Sequence, residues 1–151
     1  MEEEHIRRIR KLNQSYAYAA LQMHEAIAGT AGFSGTDHKY LGFLLERGQM
    51  TAGELSSLTG LTTGAVTGLI DRFEKKKLVK RQHGEDDRRK VFIVPDTEKI
   101  MELLAPLYQG FRNKSAELTA SFSKDEIKII ESYLSKSVEI MKEITAGLSS
   151  K

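Results

Sequence analysis

TAGELSSLTGLTTGAVTGLIDRF, residues 51–73, decides the fold. Thr51 and Glu54 have the spacing of a capping box, in which the hydroxyl accepts from the third helical amide and the carboxylate answers the cap's own amide. Met50 and Leu55 stand where a hydrophobic staple closes over such a start. The short helix this predicts, from Thr51 to Leu58, ends at Thr59-Gly60-Leu61, a tight turn. Thr62 then caps a second helix, whose buried stripe is Val66, Leu69, Ile70 and Phe73, the i, i+3, i+4, i+7 pattern. Ser56 and Gly60 are the small residues expected where two such helices meet at a steep angle. This is the spacing of a helix-turn-helix.

The outer face of the second helix is Thr63, Gly64, Thr67, Gly68 and Arg72, with Asp71 beside it. Solvent faces ordinarily carry Glu, Lys and Gln, and each exposed glycine costs about 1 kcal/mol relative to alanine. Accepting that cost twice implies close approach to another molecule or to the chain itself. In a major groove, threonine can bond base edges and meet thymine methyl groups, and a helix N-terminus can receive a phosphate.

Two short runs follow, Leu78 to Gln82 and Lys90 to Val94, joined by a polar tip containing Gly84, and they read as a β-hairpin. From Arg72 to Lys90 there are nine Lys or Arg against four acids, a net of +5. With a chain total of +2, the remainder carries −3. Positive charge gathered beside a small-residue helix face suits a polyanion. Arg88, Arg89 and Lys90 lie at or next to the tip, where arginine can read a narrow minor groove. Asp86 and Asp87 would repel phosphate, but an aspartate two positions before an arginine can hold its guanidinium in one direction, so Asp87 is read as orienting Arg89.

Working outward, residues 3–28 read as one long helix, with Ile6, Ile9, Leu12, Tyr16, Ala20, Met23 and Ile27 at spacings of three and four. Gly29, Gly32 and Gly35 break it. A second helix begins near Thr36 and carries Tyr40, Leu41, Leu44 and Leu45. Beyond the hairpin, Asp96 caps a fifth helix with Ile100, Leu103, Leu104, Leu107 and Phe111 on one face. Ser123 and Glu126 form a second capping box, and the last helix repeats Ile127, Ile130, Leu134, Met141, Ile144 and Leu148 on a heptad interrupted by Ser137. These stripes, with the first helix, offer more apolar surface than one small lobe can bury, so a homodimer is expected.

The run Leu61 to Thr67, Asp71 to Val79, the Asp-x-Arg of Asp87 and Arg89, and Thr97-Glu98-Lys99 resemble the multiple antibiotic resistance regulator (MarR) family of winged helix-turn-helix regulators. The resemblance implies a mainly α fold in one MarR-type domain, 1–151. Residues 36–95 would form the DNA-binding lobe, and 1–30 with 96–151 a helical dimerisation lobe. It implies a homodimer binding duplex DNA at an inverted repeat, as a ligand-responsive repressor. Thr62, Thr63, Gly64, Ala65, Thr67, Gly68 and Arg72 would face the major groove, Arg88 and Arg89 would serve the wing, and Lys90 and Lys76 would lie nearer phosphate. Tyr16, His38 and Tyr40 are candidates for a pocket holding a small aromatic or anionic effector. Two positions depart from the family: Lys77 and Ile100 stand where glycine is common. A lysine in a left-handed helix end would cost about 1 kcal/mol unless the helix ends differently. The alternative from another class is a winged-helix protein-interaction module without sequence-specific DNA binding.

Other chemistries lack their parts. The chain has no cysteine, which excludes disulfides, thiolate zinc sites and oxidant-sensing thiols. Of its four histidines, His24 and His38 flank the glycine loop near Glu25 and Asp37, but a zinc site needs three or four converging ligands, so no metal and no cofactor is expected. No Gly-x-Ser-x-Gly elbow or phosphate-binding Gly-Lys-Ser or Gly-Lys-Thr loop exists, so an enzyme is not expected. No run approaches the roughly 18 apolar residues of a membrane span, and Glu2-Glu3-Glu4 is unlike the start of a secretory signal, which makes the cytoplasm the expected location.

Overall fold

The computed structural model describes residues 1–150 and contains six helices and a small antiparallel sheet. Helix α1, Glu2–Ala31, runs three residues beyond its expected end. It stops where Gly32 turns left-handed (φ 84°) and the Phe33 N–H reaches back to the Ala28 carbonyl at 2.8 Å. Helix α2, Gly35–Arg47, starts one residue before Thr36, because Ser34 caps it, accepting from the Asp37 N–H at 3.1 Å. Strand β1, Met50–Thr51, leads into α3, Ala52–Thr59, and the capping box of Thr51 and Glu54 forms in both directions.

Gly60 then adopts φ 71°, and α4, Thr63–Lys75, follows. No atom lies within 4 Å of where a Gly60 Cβ would be, so this glycine serves backbone conformation rather than close helix contact. The turn is held instead by Ser56 Oγ, which donates to the Leu61 carbonyl at 2.6 Å. Strands β2, Val79–His83, and β3, Val91–Pro95, form the hairpin one residue later than expected at each start. Sheet order is β1-β3-β2, with Met50 opposite Ile93 and Arg81 opposite Ile93 on the other side. Helices α5, Thr97–Ala120, and α6, Lys124–Ser149, complete the chain.

Lys77 is the departure that matters locally. Its φ is 59°, so α4 ends as a glycine-terminated helix would, with lysine in the strained place. The Leu78 N–H reaches the Phe73 carbonyl at 3.0 Å and the Lys77 N–H the Glu74 carbonyl at 2.9 Å, the paired bonds of a Schellman end. Leu78 and Phe73, both buried, supply its apolar contact.

Two compact units divide the chain, Met1–Tyr108 and Gln109–Lys151. The first holds the core: Ala28, Leu41, Leu44, Leu55, Val66, Leu69, Ile70, Phe73, Ile93 and Ile100 are almost wholly removed from solvent. Ile100, the second departure from the family pattern, is therefore a core residue. In the second unit α6 buries no residue, and Ile130, Leu134, Met141, Ile144 and Leu148 all remain exposed.

Candidate nucleic-acid interface

The four buried residues of α4 are Val66, Leu69, Ile70 and Phe73, so the helix is fixed by one stripe and presents the other. Thr63, Gly64, Ala65 and Thr67 are exposed and Gly68 is half-buried. Nothing lies within 4 Å of a Cβ placed on Gly64, and only the Arg72 Nη1 comes near one on Gly68, at 3.5 Å. The small face is therefore not used to pack α4 against its own chain. Thr62 is the N-cap, its hydroxyl accepting from the Ala65 N–H at 3.2 Å. Thr67 donates its hydroxyl hydrogen to the Thr63 carbonyl at 3.0 Å, which leaves its oxygen as an acceptor and its methyl for outside contacts.

Arg72 is not a free cation. Its Nε and Nη2 donate to the two oxygens of Asp37 at 2.7 and 2.9 Å, a bidentate pair from α4 to the first turn of α2. That bond raises the Arg72 pKa above its ordinary value. Asp37 is the only charged residue among the buried ones described. The sequence marked Arg72 as groove-facing and missed Asp37, because the partner lies 35 positions away. Lys76 places its Nζ 5.0 Å from the centre of the Phe33 ring, over the α1–α2 corner.

The wing tip is built by hydrogen bonds on its own backbone. Gly84 N–H donates to the Lys90 carbonyl at 2.9 Å and Lys90 N–H to the Asp87 carbonyl at 3.1 Å. A Cβ on Gly84 would stand 2.7 Å from that Asp87 carbonyl, so only glycine fits. His83 Nδ1 donates to the Arg88 carbonyl at 2.8 Å. Asp87 Oδ1 accepts from the Arg89 N–H at 3.0 Å and from Arg89 Nε at 3.3 Å, while the Arg89 side chain stays 92% exposed. The aspartate thus holds the base of an arginine that otherwise projects into solvent. Arg88 and Lys90 are exposed beside it.

Residues 31–90 match the family model described as MarR family. The chain is 41% identical over 123 residues to the HTH-type transcriptional regulator YcgE of Bacillus subtilis, covering 80% of this chain and 77% of that protein. It is 32% identical to YsmB of the same organism, covering 92% and 94%. The chain belongs to the MarR family.

This MarR chain is similar in fold to a MarR family protein from Bacillus stearothermophilus, at TM-score 0.72 and 28% identity over 94% of this chain and 99% of that one. A mutant of MepR from S. aureus, solved bound to an oligodeoxyribonucleotide, shares the fold at TM-score 0.61 and 20% identity, covering 88% and 97%. The protein is a winged helix-turn-helix transcriptional regulator that binds DNA.

Apart from the outer face of α4, the MarR chain has a cleft of about 390 Å³ at the α1–α2 corner, lined by Leu21, His24, Glu25, His38 and Lys39 among others. His38 lines it. Tyr40 does not: it is buried in the core, tilted against Phe43. Tyr16 is exposed on α1 and does not line the cleft. The aromatic residue beside His38 is Tyr108 of α5, whose hydroxyl is 2.7 Å from His24 Nδ1 and 3.2 Å from His38 Nε2. Sequence reading missed it because it lies 84 positions from His24. Among the described residues no three of His, Asp and Glu converge as metal ligands.

Burial, and then the neighbouring His24, lower the His38 pKa below its ordinary value, and burial raises that of Tyr108. Below about pH 6.5 the unfolded chain takes up the His38 proton while the folded chain resists it. The Tm should therefore hold above that pH and fall as pH drops towards 5, and His38→Gln should flatten the fall. Parallel melts of both proteins across this range, with the same slope in each, would rule out His38 as the source.

Proposed function

We propose that this regulator binds an inverted-repeat operator as a homodimer and acts as a repressor whose affinity a small aromatic or anionic molecule changes. The observation that carries the DNA-reading assignment is the outer face of α4, where two glycines answer no need of the protein's own packing, next to a wing whose arginines project outward. Thr62, Thr63, Gly64, Ala65, Thr67 and Gly68 face the major groove in this reading, and Arg88 and Arg89 the adjacent minor groove, with Lys76 and Lys90 nearer phosphate. Arg72 joins them through the edge its pair with Asp37 leaves open, Nη1, which lies over Gly68. A neighbour of the same fold is described as bound to an oligodeoxyribonucleotide, which supports the reading.

Twofold symmetry would set the half-site centres about 10 base pairs apart. The effector reading rests on the cleft at His24 and His38, where two imidazoles, Lys39 and apolar Leu21 offer donors and a wall to an aromatic acid. Among the described residues no helix is long and apolar enough to cross a membrane, and the protein works in the cytoplasm in this reading.

Fluorescence anisotropy with the gene's own upstream region tests the assignment. Wild-type affinity should fall log-linearly with salt, and Arg88→Ala with Arg89→Ala should weaken it strongly and flatten the slope by roughly one for each phosphate no longer neutralised. Equal affinity of wild type for unrelated duplex, or an unchanged double variant, would overturn it. Adding benzoate-type acids to the same titration tests the effector.

A further inference from the structure

Two acids, Asp71 and Glu74, stand exposed near the reading face of α4, where a DNA-binding surface would ordinarily exclude them. Arg81 of β2 answers both. Its Nη2 donates to Asp71 Oδ1 at 2.6 Å, its Nη1 to Glu74 Oε1 at 2.7 Å, and its backbone N–H to Glu74 Oε2 at 3.3 Å. The bond it donates to Asp71 raises the arginine's pKa above its ordinary value.

Of the five residues of β2 only Val79 is buried, so beyond it no buried side chain holds this strand to the helix. The central strand β3 anchors the hairpin through Ile93. Beyond Val79, the side-chain bonds that tie β2 to α4 are those of Arg81. A planar fork can span carboxylates on successive turns of a helix, which a lysine ammonium, a single point charge, cannot do with fixed direction.

We propose that Arg81 is a positioning residue for DNA reading: it locks β2 onto α4 so that the wing tip and the recognition helix meet their two grooves as one rigid unit. It touches no DNA in this role. The inference rests on the assignment of α4 and the wing to DNA, and two measurements separate the two claims.

The first needs no DNA. Because the chain has no cysteine, Lys75→Cys and Glu85→Cys introduce one pair of spin-label sites per protomer, one on α4 and one at the wing tip, read after mixing with excess unlabelled protein so that only distances within a protomer count. The distance distribution between them should be narrow with Arg81 present and clearly broader with Arg81→Lys. An unchanged distribution overturns the proposal whatever the protein binds. The second compares affinity for the upstream fragment and for unrelated duplex. Arg81→Lys keeps the charge, and solvent-edge ion pairs contribute little to folding, so the Tm should move by only a few degrees. Affinity for the fragment should nonetheless drop on the order of tenfold, the worth of one well-placed base contact, with little change on unrelated DNA. Wild-type affinity in Arg81→Lys, or an equal loss on both DNAs, overturns the proposal. A broadened distribution in a protein whose wild type does not discriminate its fragment would uphold the clamp and remove the operator reading instead.

Discussion

Phe73→Ala should lower the Tm by roughly 10 °C or more, because losing a fully buried phenylalanine costs about 3–5 kcal/mol and domains of this size lose several degrees per kcal/mol. Phe73 is 0% exposed and meets Phe33 edge-on, with ring centres 6.1 Å apart at 82°. Its loss leaves a cavity between the corner that follows α1 and helix α4, and also removes the apolar half of the Schellman end at Leu78. The cost is a large share of the roughly 5–15 kcal/mol by which folded domains exceed their unfolded state. A thermal melt followed by circular dichroism checks it; a variant melting within 2–3 °C of wild type, about 1 kcal/mol or less, would show that the site collapses around the gap.

Leu134→Asp with Ile144→Asp should give a folded monomer that loses on the order of a hundredfold or more in operator affinity, the avidity that two linked half-sites supply. Both side chains are more than half exposed on α6, which the single chain leaves without one buried residue. A helix of 26 residues with an apolar heptad stripe needs a partner surface to cover it. In the proposed dimer, each protomer brings two carboxylates into that surface, where they cannot be solvated. Light scattering gives the mass and anisotropy the affinity. A dimeric variant with intact binding would overturn the assignment of this stripe to the partner.

The parts of the fold that were legible in sequence are those held by contacts within a few residues. Thr51 with Glu54, Ser123 with Glu126, and Thr62 at the start of α4 announce themselves by spacing, and each cap forms as read. The stripe Val66, Leu69, Ile70 and Phe73 is buried as its period requires. Asp87 beneath Arg89 was legible for the same reason, two positions being within reach of one side chain. Strand β1 was not: two residues carry no period, and they become a strand only because Ile93 and Phe92 pair with them from far along the chain. The ion pairs Asp37–Arg72 and Arg81 with Asp71 and Glu74 were likewise invisible as pairs, since charge counts cannot say which cations are already answered. Tyr40 read as a cleft residue because an aromatic with a hydroxyl suits either a rim or a core, and only packing against Leu41's neighbours decides.

The left-handed Lys77 has a consequence for which lengths of chain this corner tolerates. Leu78 spends its N–H on Phe73 and its carbonyl on the Asp96 N–H at 2.8 Å, so the exit of α4 and the entry to α5 share one residue. Side chains alternate along a strand, and adding or deleting a single residue between Lys75 and Val79 would turn every side chain of β2 to the opposite face. Val79 would leave the core, Lys80 would enter it, and Arg81 would swing away from its two acids. The fold of this chain should accept substitutions at Lys76 and Lys77 far more readily than any change in the number of residues there.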